Sequence, residues 1–150
     1  MNKRVVIAND HGAVELKNEI SIHLQARGYE VVNLGVDNLD SVDYPDMALS
    51  ACREYLGGNY EFGVVCCGTG IGISISANKI DGIRCALLQN IFAAQMAKEH
   101  NNVNFIAFGG RINYQEPVTQ MIDAFIDATA QSGRHANRVR KIMDLEHTNY

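Results

Sequence analysis

Short apolar segments alternate along this chain with stretches whose apolar residues have helical spacing. The apolar segments are Val5–Ala8, Tyr29–Leu34, Phe62–Cys67, Ile83–Leu88 and Phe105–Phe108. Segments that are apolar almost throughout are typical of strands buried on both faces of a sheet. Because a helical stretch follows each segment, we expect an α/β fold. Its three layers, α/β/α, would surround a five-stranded parallel sheet of the Rossmann-like kind, and a C-terminal helix would end the chain.

The helical stretches also predict which side chains face the core. In the stretch after the fourth apolar segment, we expect Phe92, Met96 and Ala97 on the inner face and Ile91 on the exposed face. A last helix is predicted over about residues 134 to 146.

Composition limits the class of protein. The chain has 150 residues without a linker or an internal repeat, so we expect a single domain over residues 1–150. A composition of 47% hydrophobic and 20% charged residues excludes a disordered or fibrous chain. No apolar run reaches the roughly 18 residues that a membrane span needs. With a net charge of −4, attraction to nucleic acid or to an anionic membrane is not expected.

The four cysteines, Cys52, Cys66, Cys67 and Cys85, form neither a C-x-x-C pair nor a zinc-site spacing. Adjacent cysteines suit a disulfide framework poorly, and the start of the sequence does not resemble a secretory signal, so we expect a reduced, cytoplasmic protein. Side chains alternate along a strand. Cys66 and Cys67 should therefore face opposite sides, one packing in the core and the other reaching a site.

The strongest candidate for chemistry is the glycine-rich segment that leaves the third strand, Cys67-Gly68-Thr69-Gly70-Ile71-Gly72-Ile73-Ser74. Alternating glycines let backbone N–H groups converge, and the N-terminus of the helix behind them favours an anion. The segment lacks the rest of a dinucleotide fingerprint and the lysine of a Walker loop. A helix N-terminus also favours a thiolate at Cys67. The alternative is a tight strand-to-helix turn in which the cysteine is a small buried residue.

Polar residues follow two other strands. Asp10-His11-Gly12 comes directly after the first strand, and Asp43-Tyr44-Pro45 ends the loop after the second. Because the carboxyl ends of parallel strands share one edge of a sheet, these residues can face the same crevice as Cys67. Capping of the first helix is an alternative role for Asp10.

One basic segment, Ser132–Lys141, stands out in an acidic chain. Arg134 and Arg138 are four residues apart and share a helix face, and no carboxylate lies between Asp127 and Asp144 to pair with them locally. Two arginines so placed can hold a phosphate. The alternative is a solvated basic end of a helix.

Together these motifs resemble one family, ribose-5-phosphate isomerase type B with its relatives, the galactose-6-phosphate and allose-6-phosphate isomerases. The resemblance covers nearly the whole chain. It is carried, in order, by Asn9–Gly12, Asp43–Pro45, Cys67–Ser74, Asn78-Lys79, His100-Asn101, Phe108–Arg111, Gly133–His135 and Arg138.

The resemblance implies reversible interconversion of ribose 5-phosphate and ribulose 5-phosphate, a reaction of the pentose phosphate pathway, without a cofactor or a metal. It implies Cys67 as the base that moves a proton between C1 and C2, and His100, helped by Thr69, as the group that opens the sugar ring. His11, Arg134 and Arg138 would hold the phosphate. The full set of substrate-binding residues would be Asp10, His11, Tyr44, Gly68, Gly70, Ile71, Gly72, Asn101, Arg111, Arg134 and Arg138.

Topology places two of these residues far apart. Cys67 ends a strand, whereas His100 precedes one, so the two should lie at opposite edges of the sheet, separated by roughly 15 Å for a strand of about five residues. One sugar phosphate cannot reach across that distance. We therefore expect a homodimer or homotetramer whose sites are shared between subunits.

Two alternatives stay open. The substrate could be another aldose phosphate, such as allose 6-phosphate or galactose 6-phosphate. The protein could instead be a flavodoxin-like module that binds a phosphorylated ligand without catalysis, in which case Cys67 would be dispensable.

Overall fold

The computed structural model describes residues 3–150. Within them, five strands alternate with helices. The strands are β1 (Arg4–Asn9), β2 (Glu30–Asn33), β3 (Phe62–Cys67), β4 (Cys85–Leu87) and β5 (Phe105–Gly109). The α-helices are α1 (Val14–Ala26), α2 (Tyr44–Gly57), α3 (Ile71–Asn78), α4 (Ile91–Glu99), α5 (Val118–Asp127) and α6 (Arg134–Asp144). Single 3₁₀ turns lie at His11–Ala13 and Leu145–His147.

All five strands form one parallel sheet in the order β2-β1-β3-β5-β4. The predicted five-stranded parallel α/β fold is thus confirmed. From β1 the chain moves outward to β2 and then returns to the other side of β1 as β3. The strand order therefore reverses between β1 and β3, which is where open α/β sheets bind ligands, outside the carboxyl ends of the strands.

Apolar side chains cover both faces of the sheet and form two cores. Cys66 belongs to one core with Val64 and Phe108, and Cys67 belongs to the other with Val65. The two adjacent cysteines thus face opposite sides of β3, as their alternation predicts.

The inner face of α4 differs from the prediction. Phe92 is 71% exposed, whereas Ala94 and Ala97 are buried and Ile91 packs against the core. Ile91, Ala94 and Ala97 are three residues apart and so share one stripe of the helix, while Phe92 is rotated from that stripe by about 100°.

The last helix is shorter than predicted. It ends at Asp144, and the 3₁₀ turn Leu145–His147 follows it. His135 is its one buried residue, and Ile142 remains 41% exposed. In the chain from residue 3 to 150, no helix is long and apolar enough to cross a membrane.

Candidate active site

Backbone bonds tie the loops after β1, β3 and β5 to one another at the carboxyl edge of the sheet. The Asp10 N–H donates to the Cys66 carbonyl (3.1 Å), and the Gly110 N–H donates to the Cys67 carbonyl (2.9 Å). The buried Asp10 carboxylate accepts the Gly12 N–H at 2.8 Å, so it caps the first helical turn and stands beside the crevice. Both roles considered for Asp10 are therefore compatible.

Cys67 is placed by the glycine-rich loop. Its Sγ accepts a hydrogen bond from the Gly70 N–H at 3.2 Å. Gly70 has a φ of +78°, a conformation that glycine adopts without strain, and α3 starts at the next residue. The Thr69 hydroxyl accepts the Ile71 N–H at 3.2 Å. The sulfur of Cys67 thus lies at the start of a helix, next to a backbone donor.

The other three thiols have apolar surroundings. Burial raises the pKa of Cys52 to about 12 and raises the pKa values of Cys66 and Cys85 further. These thiols stay protonated at neutral pH and are poor nucleophiles and bases. All three thiols therefore serve as small packing residues rather than as groups that take part in chemistry.

Arg111 and Tyr44 pack on the glycine-rich loop. The Arg111 N–H donates to the Gly68 carbonyl (2.9 Å), and its guanidinium Nη1 lies 3.3 Å from the point where a Cβ on Gly68 would stand. A Cβ on Gly72 would lie 2.5 Å from the Tyr44 ring. Both side chains therefore border the backbone of the loop.

His11 begins the 3₁₀ turn that follows β1. Its ring is half-buried, and Nδ1 accepts a hydrogen bond from the Val42 N–H at 3.3 Å. The carboxyl-edge group, as we call it, comprises Asp10, His11, Tyr44, Cys67, Gly68, Thr69, Gly70, Ile71, Gly72 and Arg111.

A second group of predicted site residues lies at the opposite, amino edge of the sheet. His100 follows α4, and its ring stacks on that of His135 with centroids 4.0 Å apart and planes within 4°. His135 lies in the first turn of α6, the helix that also carries Arg134 and Arg138, both exposed. The amino-edge group comprises His100, Asn101, Arg134 and Arg138, with His135 packed against it.

The surroundings of His135 disfavour its protonated form. Desolvation, together with the neighbouring His100, Arg134 and Arg138, lowers its pKa below the ordinary 6.5. A neutral ring stacks on His100 without repulsion between two imidazolium charges. The sequence motif Gly133–His135 contains this residue, but the motif alone did not mark it as a neighbour of His100.

Arg84, just before β4, holds the amino-edge group in place. Its Nε donates to the Asn101 carbonyl at 3.2 Å, and its Nη2 donates to the Asn102 carbonyl. Its Nη1 lies 3.3 Å from Met143 Sδ on α6. Asn102 has a φ of +40°, the left-handed conformation that asparagine adopts at helix ends, and its N–H donates to the Lys98 carbonyl. Arg84 therefore ties down the turn that ends α4 directly after His100.

The two groups do not meet within one chain. Strand β5 separates them, since His100 and Asn101 precede it and Arg111 follows it. Its five residues span about 15 Å. The structure thus assembles each group separately, at opposite edges of the same sheet.

Comparison with known proteins identifies the relatives of this chain. The sequence model of the Ribose/Galactose Isomerase family matches residues 5–142. The chain belongs to this family.

Individual members of the Ribose/Galactose Isomerase family match nearly end to end. The ribose-5-phosphate isomerase B of Escherichia coli strain K12 is 38% identical over 144 residues, which cover 96% of this chain and 97% of that one. The D-erythrulose-4-phosphate isomerase of Pectobacterium atrosepticum is 37% identical over 144 residues, which cover 95% of this chain and 95% of that one. The solved structure of Clostridium thermocellum ribose-5-phosphate isomerase B superposes with a TM-score of 0.92 at 43% identity, covering 96% of this chain and 97% of that chain.

Among residues 3–150, no group of three or more His, Cys, Asp or Glu side chains is arranged to hold a metal ion. The donor set of the carboxyl edge is one thiol, one carboxylate and one imidazole, each with a hydrogen-bond partner in the chain.

Proposed function

We propose that this chain is a ribose-5-phosphate isomerase that interconverts ribose 5-phosphate and ribulose 5-phosphate through an enediolate, with Cys67 as the base. The observation that carries the proposal is the position of Cys67 Sγ, 3.2 Å from the Gly70 N–H at the start of α3. The similarity of the chain to enzymes named ribose-5-phosphate isomerase B supports this choice of substrate.

The reaction needs a base beside a stabilised oxyanion. In the direction of ribulose 5-phosphate, Cys67 as thiolate removes the proton from C2 of the open-chain sugar, and the electron pair moves onto O1 to give the enediolate. A proton then passes from the C2 hydroxyl to O1, and the Cys67 thiol returns its proton to C1. The Gly70 N–H stabilises negative charge on the sulfur. The Gly68–Gly72 loop holds the enediolate oxygen through backbone N–H groups other than those of Gly70 and Ile71, which donate to Cys67 Sγ and to the Thr69 hydroxyl. Each oxyanion donor of this kind contributes about 3–4 kcal/mol in other enzymes.

Ring opening and phosphate binding use both groups of residues. His100, with Thr69, transfers the protons that open the sugar ring, and the Asp10 carboxylate accepts hydrogen bonds from sugar hydroxyls. His11, Arg134 and Arg138 hold the phosphate, while Asn101 and Arg111 also contact the substrate. The phosphate is remote from C1 and C2, so its binding energy serves to position the reacting carbons.

The separation of the two groups supports a site that is shared between subunits of a homodimer or homotetramer. We propose that the amino-edge group of one subunit completes the carboxyl-edge group of another. Exposed apolar side chains support a contact there, because Ile71 and Ile75 on α3 are 51% and 55% exposed beside the loop. A second apolar surface, a groove between β4, α4 and α6, is lined in part by Leu87, Met96 and Ile142.

A coupled turnover assay with ribose 5-phosphate tests the function directly. We expect turnover with this substrate and slower turnover with allose 6-phosphate. A chain that binds ribose 5-phosphate but turns over no aldose phosphate would be the phosphate-binding module instead.

Other sugar phosphates compete with ribose 5-phosphate as the substrate. The D-erythrulose-4-phosphate isomerase from Pectobacterium atrosepticum is 37% identical, so the same scaffold carries enzymes named for other sugar phosphates. The six-carbon candidates, allose 6-phosphate and galactose 6-phosphate, would use the same base and phosphate ligands. The relative kcat/KM values for ribose 5-phosphate, allose 6-phosphate and galactose 6-phosphate in the same assay decide among the three substrates.

We further propose that residues 1–150 act as one isomerase domain in the cytoplasm, in the pentose phosphate pathway, without a cofactor. Free thiols at all four cysteines support a reducing compartment. A net charge of −4 gives no reason to expect nucleic acid or a membrane as partner.

A further inference from the structure

A buried lysine stands beneath the loop between β2 and α2, residues 34–43, which we call the β2–α2 loop. The Lys17 side chain on α1 is only 1% exposed. Its Nζ donates to the Val36 carbonyl at 3.0 Å and pairs with the Asp37 carboxylate. Burying an ammonium group costs free energy unless the group is paired. Packing of α1 against the sheet would need only an apolar side chain at position 17. Lys17 therefore serves the loop that it holds.

Asn9, at the end of β1, holds the same point of the loop from the other side. Its fully buried amide accepts the Val36 N–H (3.1 Å) and donates both to the Val36 carbonyl (3.1 Å) and to the Asp10 carbonyl (2.8 Å). A Cβ on Gly35 would stand 2.0 Å from Asn9 Oδ1, so the close approach requires glycine there. The first half of the loop is thereby fixed to the residues that precede His11.

The other end of the β2–α2 loop is fixed as well. Tyr44, the first residue of α2, has its ring against Gly72 in the glycine-rich loop. Between these two anchors, the Val42 N–H points at His11 Nδ1 at 3.3 Å. The direction of this bond is chemically informative, because a backbone N–H only donates.

A ring nitrogen that accepts a hydrogen bond carries no proton. A neutral imidazole has one N–H, so the proton of His11 must then be on Nε2. In this tautomer Nε2 is a donor, which suits a phosphate oxygen. In the opposite tautomer Nε2 would present its lone pair to the anion, and the two would repel.

We infer that Lys17 and Asn9 position the β2–α2 loop so that the Val42 N–H holds His11 in the Nε2–H tautomer, ready to donate to the substrate's phosphate. The inference rests on the proposed function only where it names the phosphate as acceptor. Lys17 and Val42 are positioning residues, since they act through His11.

Nuclear magnetic resonance on the free protein tests the tautomer without any substrate. Long-range ¹H–¹⁵N correlation spectra of ¹⁵N-histidine protein at pH 7.5 distinguish the two neutral tautomers and the imidazolium, and the spectrum of His11→Gln assigns the signal. We expect the pure Nε2–H pattern for His11. An Nδ1–H or imidazolium pattern overturns the inference, whatever the enzyme turns over.

A proline substitution tests the role of the loop. Val42→Pro deletes the donor N–H, and Ser41→Pro is the matched control, since the Ser41 N–H has no acceptor among residues 3–150. In Val42→Pro we expect a mixture of His11 tautomers. The KM for ribose 5-phosphate should rise about tenfold while kcat stays within about twofold, because His11 would lose its hydrogen bond to the charged phosphate. Ser41→Pro should match the wild type. An unchanged tautomer and KM in Val42→Pro would refute the role of the loop.

Lys17→Met tests the anchor, and Asp37→Ala provides an exposed second site if the methionine variant does not fold. Both should shift His11 toward mixed tautomers and raise KM more than kcat falls. Wild-type spectra and KM in a folded Lys17→Met protein would show that the lysine does not position His11. If ribose 5-phosphate is not turned over by the wild type, the tautomer measurements still decide the inference, while the proposed function fails separately.

Discussion

His100 stacks on His135 with ring centroids 4.0 Å apart and planes within 4° of parallel. The contact joins the end of α4 to the first turn of α6. It places the histidine proposed to open the sugar ring beside the helix that carries Arg134 and Arg138. The histidine and the two arginines thus belong to one structural unit at the amino edge.

The stack should weaken in mild acid. The folded protein lowers the pKa of His135 below 6.5, so the unfolded chain binds the proton more readily. The stability from this residue is therefore complete above about pH 6.5 and is lost as pH falls through the folded pKa. Urea unfolding of the wild type and of His135→Gln at pH 7.5 and 5.5 measures it. The wild type should lose more free energy of unfolding than the variant, and equal losses would contradict this account.

Cys67→Ser should remove nearly all turnover, by about 10²- to 10⁴-fold, because a hydroxyl is too weak an acid to supply the base. The fold and phosphate binding should survive, which circular dichroism and a ribose 5-phosphate binding assay would check. Cys66→Ser is the control. It places a hydroxyl in the core, at a cost of about 1–3 kcal/mol in stability, yet should keep most activity. If Cys66→Ser folds but has no activity, the base would be Cys66 rather than Cys67.

Mixing two inactive variants should restore activity. When Cys67→Ser and His100→Asn subunits exchange at random, half of the dimers are mixed, and each mixed dimer has one intact site of two. We expect recovery to roughly one quarter of wild-type activity. Native mass spectrometry shows whether subunits have exchanged. An exchanged mixture without activity would mean that His100 acts within its own subunit.

Arg138→Ala should raise KM for ribose 5-phosphate about tenfold or more with a smaller change in kcat, because the phosphate is held in the ground state and the transition state alike. Arg140→Ala is the matched control, since that arginine lies on the same helix and bonds Asn137. Unphosphorylated ribose should show no difference between Arg138→Ala and the wild type. A normal KM in Arg138→Ala would contradict phosphate binding by this arginine and would indicate that α6 is a solvated basic helix.

Activity should persist after dialysis against EDTA, because the described side chains contain no cluster with the arrangement of metal ligands. The turnover assay before and after dialysis is the measurement. Loss of activity that one divalent metal restores would contradict the metal-free mechanism.

The sequence by itself determined the local elements and the motifs. The five strands appear where apolar segments predict them, and β3 has the bounds Phe62–Cys67 that the sequence indicates. Opposite facing of Cys66 and Cys67 also follows from the sequence, because alternation is a property of any strand. The separation of Cys67 from His100 follows from chain order alone, since one residue ends a strand and the other precedes one.

Tertiary packing decided what the sequence pattern could not. Phe92 is exposed and Ile91 is packed because the neighbouring elements, not the helix itself, select the buried stripe of α4. Lys17 is buried only because the β2–α2 loop folds over it, and a lysine in a helical pattern otherwise indicates a solvated position. Likewise, Arg84 reaches Asn101 from 17 residues away, and His135 reaches His100 from 35 away. Contacts between residues distant in sequence depend on how the elements pack, so only the tertiary structure determines them.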